Sequence, residues 1–252
     1  MKYLQLVKAN YNGNDETLSV IPLSDWHSGH INYHESTVKQ HLDKLNYNTR
    51  GLILGDLMEC ATKTSIGAGL FDTNMTPQRQ KEYVLELLRP KAEFIDGAVL
   101  GNHENRLIKD TSIDLLSDIC RELKIPYLKF NGCVKYAWNG VAYVFNIWHG
   151  AGNGATTQAA INTCEKMAQR AYADVYCVGH FHKKLVSDRV IDFPDVRNNK
   201  IIKVVQNFVV SGSALDYDKG YAEQAGLQER ELGFPTIVLT GIKGNKKVKV
   251  TK

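Results

Sequence analysis

Three short apolar runs, Leu52-Ile53-Leu54, Ala98-Val99-Leu100 and Val175-Tyr176-Cys177-Val178, each stop at a glycine, with helix-length stretches between them. Continuous apolar runs of this length fit strands buried on both faces. Such strands need cover on both sides. The stretches at residues 35–46, 78–90, 111–123 and 156–171 are long enough for covering helices, and Thr76-Pro77 supplies a cap and first turn for the second. This alternation specifies an α/β sheet with helices packed outside it.

The remaining strand signals are of another kind. Leu4 to Lys8 and Leu18 to Leu23 read as two strands around a Gly13-Asn14 turn. Tyr136-Ala137-Trp138 and Val141-Ala142-Tyr143-Val144 flank Asn139-Gly140, a strong two-residue hairpin signal. Lys200 to Val210 is strand-like, and Thr236 to Lys252 reads as a terminal hairpin turning at Gly244-Asn245. Strands without intervening helices predict a second, largely antiparallel sheet. There is no Pro/Ser-rich linker and no internal repeat, so residues 1–252 are expected to form one domain, with the 236–252 hairpin part of it.

Composition narrows the function classes. At 43% hydrophobic and 23% charged residues, disordered and collagen-like chains are excluded. The balance of 31 basic and 27 acidic residues gives +4, which tolerates an anionic partner without demanding one. The five cysteines are widely spaced with no CxxC pair, which predicts reduced thiols in the cytoplasm and neither a disulfide framework nor a thiolate zinc site. No segment reads as a signal peptide and no run approaches the ~18 apolar residues of a membrane span, so no membrane association is expected. Of the eight histidines, His27, His103, His149, His180 and His182 sit at the ends of hydrophobic runs beside Gly or Asp.

Those histidines belong to five segments: Asp25-Trp26-His27, Gly55-Asp56-Leu57-Met58-Glu59, Gly101-Asn102-His103-Glu104, His149-Gly150 and Gly179-His180-Phe181-His182. Each follows an apolar run, and the carboxyl ends of strands are where α/β sheets build sites. Oxygen and imidazole donors without thiolates suit manganese, iron, zinc or nickel. In an extended strand, residues i and i+2 point to one side, so Asp25 with His27 and His180 with His182 are each expected to present two donors in one direction. The glycines before Asp56, Asn102 and His180 are expected to let the backbone turn tightly as it leaves the sheet.

Taken together, the segments DxH, GDxxE, GNHE, HG and GHxH resemble the pattern of the calcineurin-like metallophosphoesterase superfamily, from about Leu18 to Ser213, with Val210-Ser211-Gly212-Ser213 similar to the family's later Gly-Ser segment. The region after His149 looks most like bacterial and bacteriophage-type members. The fold class expected is α/β, a four-layer α/β/β/α sandwich of two stacked mixed sheets flanked by helices.

The resemblance implies two divalent metal ions, manganese foremost, with iron, zinc, nickel or magnesium as alternatives. One would take Asp25, His27, Asp56 and His182, and the other Asp56, Asn102, His149 and His180. A hydroxide bridging the ions would attack phosphorus. His103 would be a general acid or charge stabiliser near the leaving group, and Glu59 stands where some members carry an Asp that orients it. A carboxylate there would raise the pKa of His103.

Other features shape the expected substrate. Cys60-Ala61 and Leu100 replace arginines of the family's protein phosphatases, which counts against that activity. Arg106 could reach a substrate phosphate. The stretch Ala61 to Thr76, with Gly67, Gly69 and Asp72, could overhang the site. Gly150-Ala151-Gly152-Asn153-Gly154 before a helix start could bind an anion, although a connector is the plainer reading. His30, His34 and His41 are left outside the site, and Trp26 is expected to point away from the metals. Lys243, Lys246, Lys247, Lys249 and Lys252 read first as edge-strand protection. The expected function is a phosphodiesterase or nuclease acting on a phosphoester, DNA or RNA included. The alternatives are a phosphomonoesterase of small molecules or nucleotides and, last, a metal-free interaction scaffold.

Overall fold

The computed structural model describes residues 5–11, 17–63, 65, 72–152, 156–216, 231–242 and 246–252, with side chains from residue 17 onward. The Gly13-Asn14 and Gly244-Asn245 turns, Gly67, Gly69, Asn153, Gly154 and Lys243 lie outside the described residues. In chain order the elements are β1 (Gln5–Tyr11), β2 (Leu18–Leu23), α1 (Glu35–Asp43), β3 (Thr49–Ile53), α2 (Pro77–Leu88), β4 (Ile95–Ala98), α3 (Asn102–Thr111), α4 (Leu115–Leu123), β5 (Asn131–Trp138), β6 (Val141–Trp148), α5 (Thr157–Ala168), β7 (Val175–Val178), β8 (Lys184–Asp195), β9 (Lys200–Ser211), β10 (Thr236–Leu239) and β11 (Val248–Thr251).

Two mixed sheets stack face to face. One runs β11-β10-β2-β3-β4 and the other β1-β5-β6-β7-β9-β8. Leu18, Val20, Leu52, Leu54 and Val99 of the first pack against Val134, Tyr136, Phe145, Ile147, Val175 and Val209 of the second. Ile21, Leu23 and Ile53 point the other way, into a cluster with Val38 and Leu42 of α1, Val84 and Leu88 of α2, and Leu116 and Ile119 of α4. Tyr176, Val178, Phe208 and Val210 meet Ala160, Cys164 and Met167 of α5 on the far side. This is the α/β/β/α sandwich. Because the chain at the ends of β3 and β4 and along β7 is covered on both faces, Leu52–Leu54, Ala98–Leu100 and Val175–Val178 read as continuous apolar runs. The five cysteines are free and buried. No helix among the described residues is long and apolar enough to cross a membrane.

Several local expectations hold in atomic detail. Thr76 caps α2, its side chain accepting from the Arg79 N–H at 3.4 Å, with Pro77 at the first helical position. At the β5–β6 turn, Asn139 and Gly140 have φ of 49° and 73°, which a type I′ hairpin requires.

Others are corrected. β1 and β2 do not form a hairpin. β1 pairs in parallel with β5, because the two edges of β2 are already taken by β3 and β10. The second sheet is not largely antiparallel, since β1/β5, β6/β7 and β7/β9 are parallel pairs. α5 carries the chain back between β6 and β7, and the β8–β9 hairpin returns β9 alongside β7. The helix expected at 111–123 starts only at Leu115, because Thr111 closes α3, Ser112 breaks the chain with φ 61° and the Asp114 carboxylate caps the new start, accepting from the Ser117 N–H at 2.9 Å. β8 was not expected at all. It is an edge strand whose charged residues and Pro194 are tolerated because, among the described residues, one side has no partner strand.

Candidate metal centre

The five motif segments follow β2, β3, β4, β6 and β7, and they meet at one end of the stacked sheets. Main-chain bonds lock the first two together: the Asp25 N–H donates to Gly55 O at 3.0 Å, and those of Trp26 and His27 donate to Asp56 O at 2.9 and 3.0 Å. Trp26 is fully buried among the core residues on the helix side and leaves its neighbours to face the site.

The donors are not presented by extended strand. Asp25, His27, Asp56, His180 and His182 have φ of 53°, 54°, 51°, 70° and 49°. The left-handed region costs a non-glycine residue on the order of 1–3 kcal/mol and concentrates at functional sites. The i, i+2 spacing therefore works through alternate left-handed residues rather than a pleat, and it sends His180 and His182 to different donor groups. Of the three glycines that precede Asp56, Asn102 and His180, only Gly55 turns with positive φ, at 89°. Gly101 and Gly179 are needed for space, since a Cβ would lie 2.0 Å from Asp56 Oδ1 at Gly101 and 2.0 Å from Ser24 Oγ at Gly179.

Two donor groups result. In the first, His182 Nε2 lies 3.3 Å from Asp25 Oδ1 and 3.1 Å from His27 Nε2, all three atoms mutually close enough to share an ion. In the second, His149 Nε2 lies 3.1 Å from Asp56 Oδ2, Asn102 Oδ1 lies 2.9 Å from His149 Nε2 and 2.7 Å from His180 Nδ1, and Asp56, His149 and His180 converge. Asp56 belongs to the second group and stands outside the first. All seven predicted ligands thus lie in these two groups.

The tautomers are set from outside. His149 Nδ1 donates to Leu54 O at 2.7 Å, His180 Nε2 to Gly152 O at 2.7 Å, and His27 Nδ1 to Glu59 Oε2 at 2.8 Å. Each bond leaves the other ring nitrogen for the group, as outer partners of metal-ligating histidines do. Asp25 is held by the Ser24 hydroxyl and by the His180 N–H at 2.9 Å. Burial opposes ionisation of Asp25, but the His182 hydrogen bond together with the charges of His182 and His149 outweighs it and holds the carboxyl below its usual range. Burial likewise lowers the basicity of His149, yet the charges of Asp56 and Asp25 raise its pKa to about 10. Hard oxygen and borderline imidazole donors, with their hydrogens turned outward, suit divalent ions.

Beside these groups, Glu59 Oε1 lies 3.1 Å from His103 Nδ1 while Oε2 serves His27, and Glu59, His27 and His103 form a third convergent group. The sequence paired Glu59 with His103 alone. His103 Nε2 is 3.9 Å from Asp56 Oδ2, and the charges of Asp56 and Glu59 lift its pKa to about 9 against burial. Arg106 Nη2 donates to Glu59 O at 2.8 Å and lies 3.3 Å from Glu59 Oε1 and 2.9 Å from His103 Nδ1. Its charge is directed at Glu59.

Two further residues had no assigned part in the sequence reading. Glu104, within the GNHE segment, is buried and accepts from the N–H groups of Leu57 at 2.7 Å, Asp56 at 3.0 Å, Met58 at 3.2 Å and Gly101 at 3.2 Å. Burial and the Asp56 charge push its carboxyl up to about 7. His30 follows Gly29, whose φ is 94°, and is in electrostatic reach of Glu59, Asp72, His103 and His182. Its DWHSGH context was the available signal. The loop ending near Asp72 is tied to it: the Ile31 N–H donates to Asp72 O and the Asn74 N–H to Gly29 O, both at 2.9 Å. His34 and His41 are engaged elsewhere, with Thr37.

No family model matches the chain, and no curated protein matches it. Among solved structures it is similar to Vacuolar Protein Sorting 29 from Cryptosporidium parvum, 16% identical over 94% of this chain and 98% of that one with a TM-score of 0.44. Vps29 from Chaetomium thermophilum is 13% identical over 94% and 96%, with a TM-score of 0.43. A metallophosphoesterase from Sphaerobacter thermophilus is 13% identical over 93% and 88%, with a TM-score of 0.42. These likenesses are too remote to say what this chain binds or does.

Proposed function

We propose that the chain is a metal-dependent phosphoester hydrolase working with two divalent ions, manganese foremost. The observation that carries this is the convergence of seven O and N donors from five loops into two adjacent groups, with histidine tautomers fixed from behind. Asp25, His27 and His182 would hold one ion and Asp56, Asn102, His149 and His180 the other, with Asp56 as the shared carboxylate. Ions bound there supply Lewis acidity, lowering the pKa of a water and neutralising phosphate oxygens.

The chain's own residues do the rest. His103 keeps a proton near neutral pH because Asp56 and Glu59 favour its charged form. That proton goes to the leaving-group oxygen from Nε2, the ring nitrogen turned away from Glu59. Glu59 sets the rings of His103 and His27 at once, and Arg106 fixes Glu59 by gripping its backbone and side-chain oxygens. Phosphodiesters, including nucleic acid, are the preferred substrates. What supports this is that Arg106 Nη2 is turned to the Glu59 backbone and carboxylate oxygens rather than to the candidate metal groups.

Parallel assay of a bis-aryl phosphodiester, an aryl monophosphate and single-stranded DNA with manganese tests the reading. Diester hydrolysis that Asp56→Asn nearly abolishes is expected. Faster monoester cleavage would assign the phosphomonoesterase alternative, and no cleavage of any ester would remove the hydrolase.

A further inference from the structure

The segment joining α4 to β5 climbs along β4 to the metal centre. The Ala98 N–H donates to Pro126 O at 2.9 Å, the Leu128 N–H to Ala98 O at 2.8 Å, and the Leu100 N–H to Lys129 O at 2.5 Å. The last bond lies two residues before Asn102. On the other side, Asn131 is in register with Trp148, the residue before His149. Lys129 and Phe130 therefore sit between the loops that carry two donors of the second group.

The pair is unusual in three respects. Lys129 is held in the left-handed region with φ 62°. Its Nζ lies over the Phe130 ring, 5.3 Å from the centroid, with no carboxylate partner among the described residues. Phe130 is 49% exposed, a large apolar ring in water at the rim of a polar site. A left-handed backbone residue, an ammonium with no carboxylate partner among the described residues and a half-exposed aromatic ring, all at one edge of the candidate centre, are the parts of a stacking platform for a base attached to a phosphate.

We infer that Phe130 stacks a nucleobase of the substrate, with Lys129 braced on the ring and its ammonium near the flanking phosphate. The substrate class is then a nucleoside phosphodiester. This rests on the phosphodiesterase reading and narrows it, because a small unadorned ester would have nothing to place on the ring.

The test compares a thymidine p-nitrophenyl phosphodiester with methyl p-nitrophenyl phosphate, which release the same leaving group. Phe130→Ala should lower kcat/KM for the thymidine ester by about tenfold or more, the range expected of base–aromatic stacking, through KM. The methyl ester should change by less than about twofold, and Phe130→Trp should restore the thymidine ester. Equal losses on both esters, or no loss on either, would overturn the inference. If the manganese-loaded wild type cleaves neither ester, the hydrolase reading fails separately. Calorimetric binding of thymidine monophosphate then decides: binding that Phe130→Ala weakens upholds the platform, and absent or unchanged binding rejects it.

Discussion

Glu59 Oε2 accepts a hydrogen bond from His27 Nδ1 at 2.8 Å, so the carboxylate expected to serve His103 also stands behind a metal ligand. Glu59→Gln keeps the shape and removes the charge. Outer partners of this type commonly contribute about 10- to 100-fold in metal affinity. The first ion should weaken by that order while the second is little changed, as read by manganese titration. Loss of the negative charge also lowers the pKa of His103 from about 9. Since His103 must be protonated to act, the alkaline limb of the pH–rate profile should move to lower pH.

Glu104 is a prediction about stability as well as geometry. Its carboxylate receives four backbone N–H groups from the Asp56 and Gly101 loops. Glu104→Ala leaves those buried donors without their acceptor, which costs about 3 kcal/mol or more. In a chain of this size that lowers Tm by roughly 6–12 °C. A thermal melt checks the first effect, and metal content checks the loss of Asp56 placement.

Much of this arrangement was legible before the structure, for a local reason. Each donor lies next to an apolar run, and runs such as Leu52–Leu54 are buried on both faces, so pattern and position coincide. What depends on competition was not legible. β1 and Leu18–Leu23 look like a hairpin, but β3 and β10 occupy both edges of β2. β8 was hidden by the charges and proline of an edge strand. The left-handed turns at Asp25, His27, His180 and His182 also went unread, because Asp and His enter this region more often than most residues but do not announce it as glycine does. Glu59 shows the same limit, since its second partner is reached only through the fold.

Gly101→Ala tests the close approach of the two central loops. The added methyl would lie 2.0 Å from Asp56 Oδ1 and 2.2 Å from Asp56 N, and that backbone nitrogen cannot swing aside as a side-chain end could. Metal binding at the second group should be lost, even though φ at this position is an ordinary −89°. Preserved metal content in this variant would show that the loops can separate.

Proton release should accompany metal uptake. The pKa of His149 stands near 10 in the metal-free fold, against 6.5 as its ordinary value. An ion must displace that proton, so apparent affinity rises with pH up to that region. The same shift makes a statement about stability. A raised histidine pKa contributes fully below about 6.5 and is lost as pH rises through about 10. Metal-free protein should therefore melt at lower temperature as pH increases across that window. The manganese-loaded form should not follow it.

The most direct measurement is a calorimetric titration of the purified chain and its Asp56→Asn variant with manganese. Two saturable ions per chain in the wild type, with binding at the shared carboxylate lost in the variant, is the predicted result. No saturable binding, or the same isotherm for both proteins, would contradict the dinuclear centre.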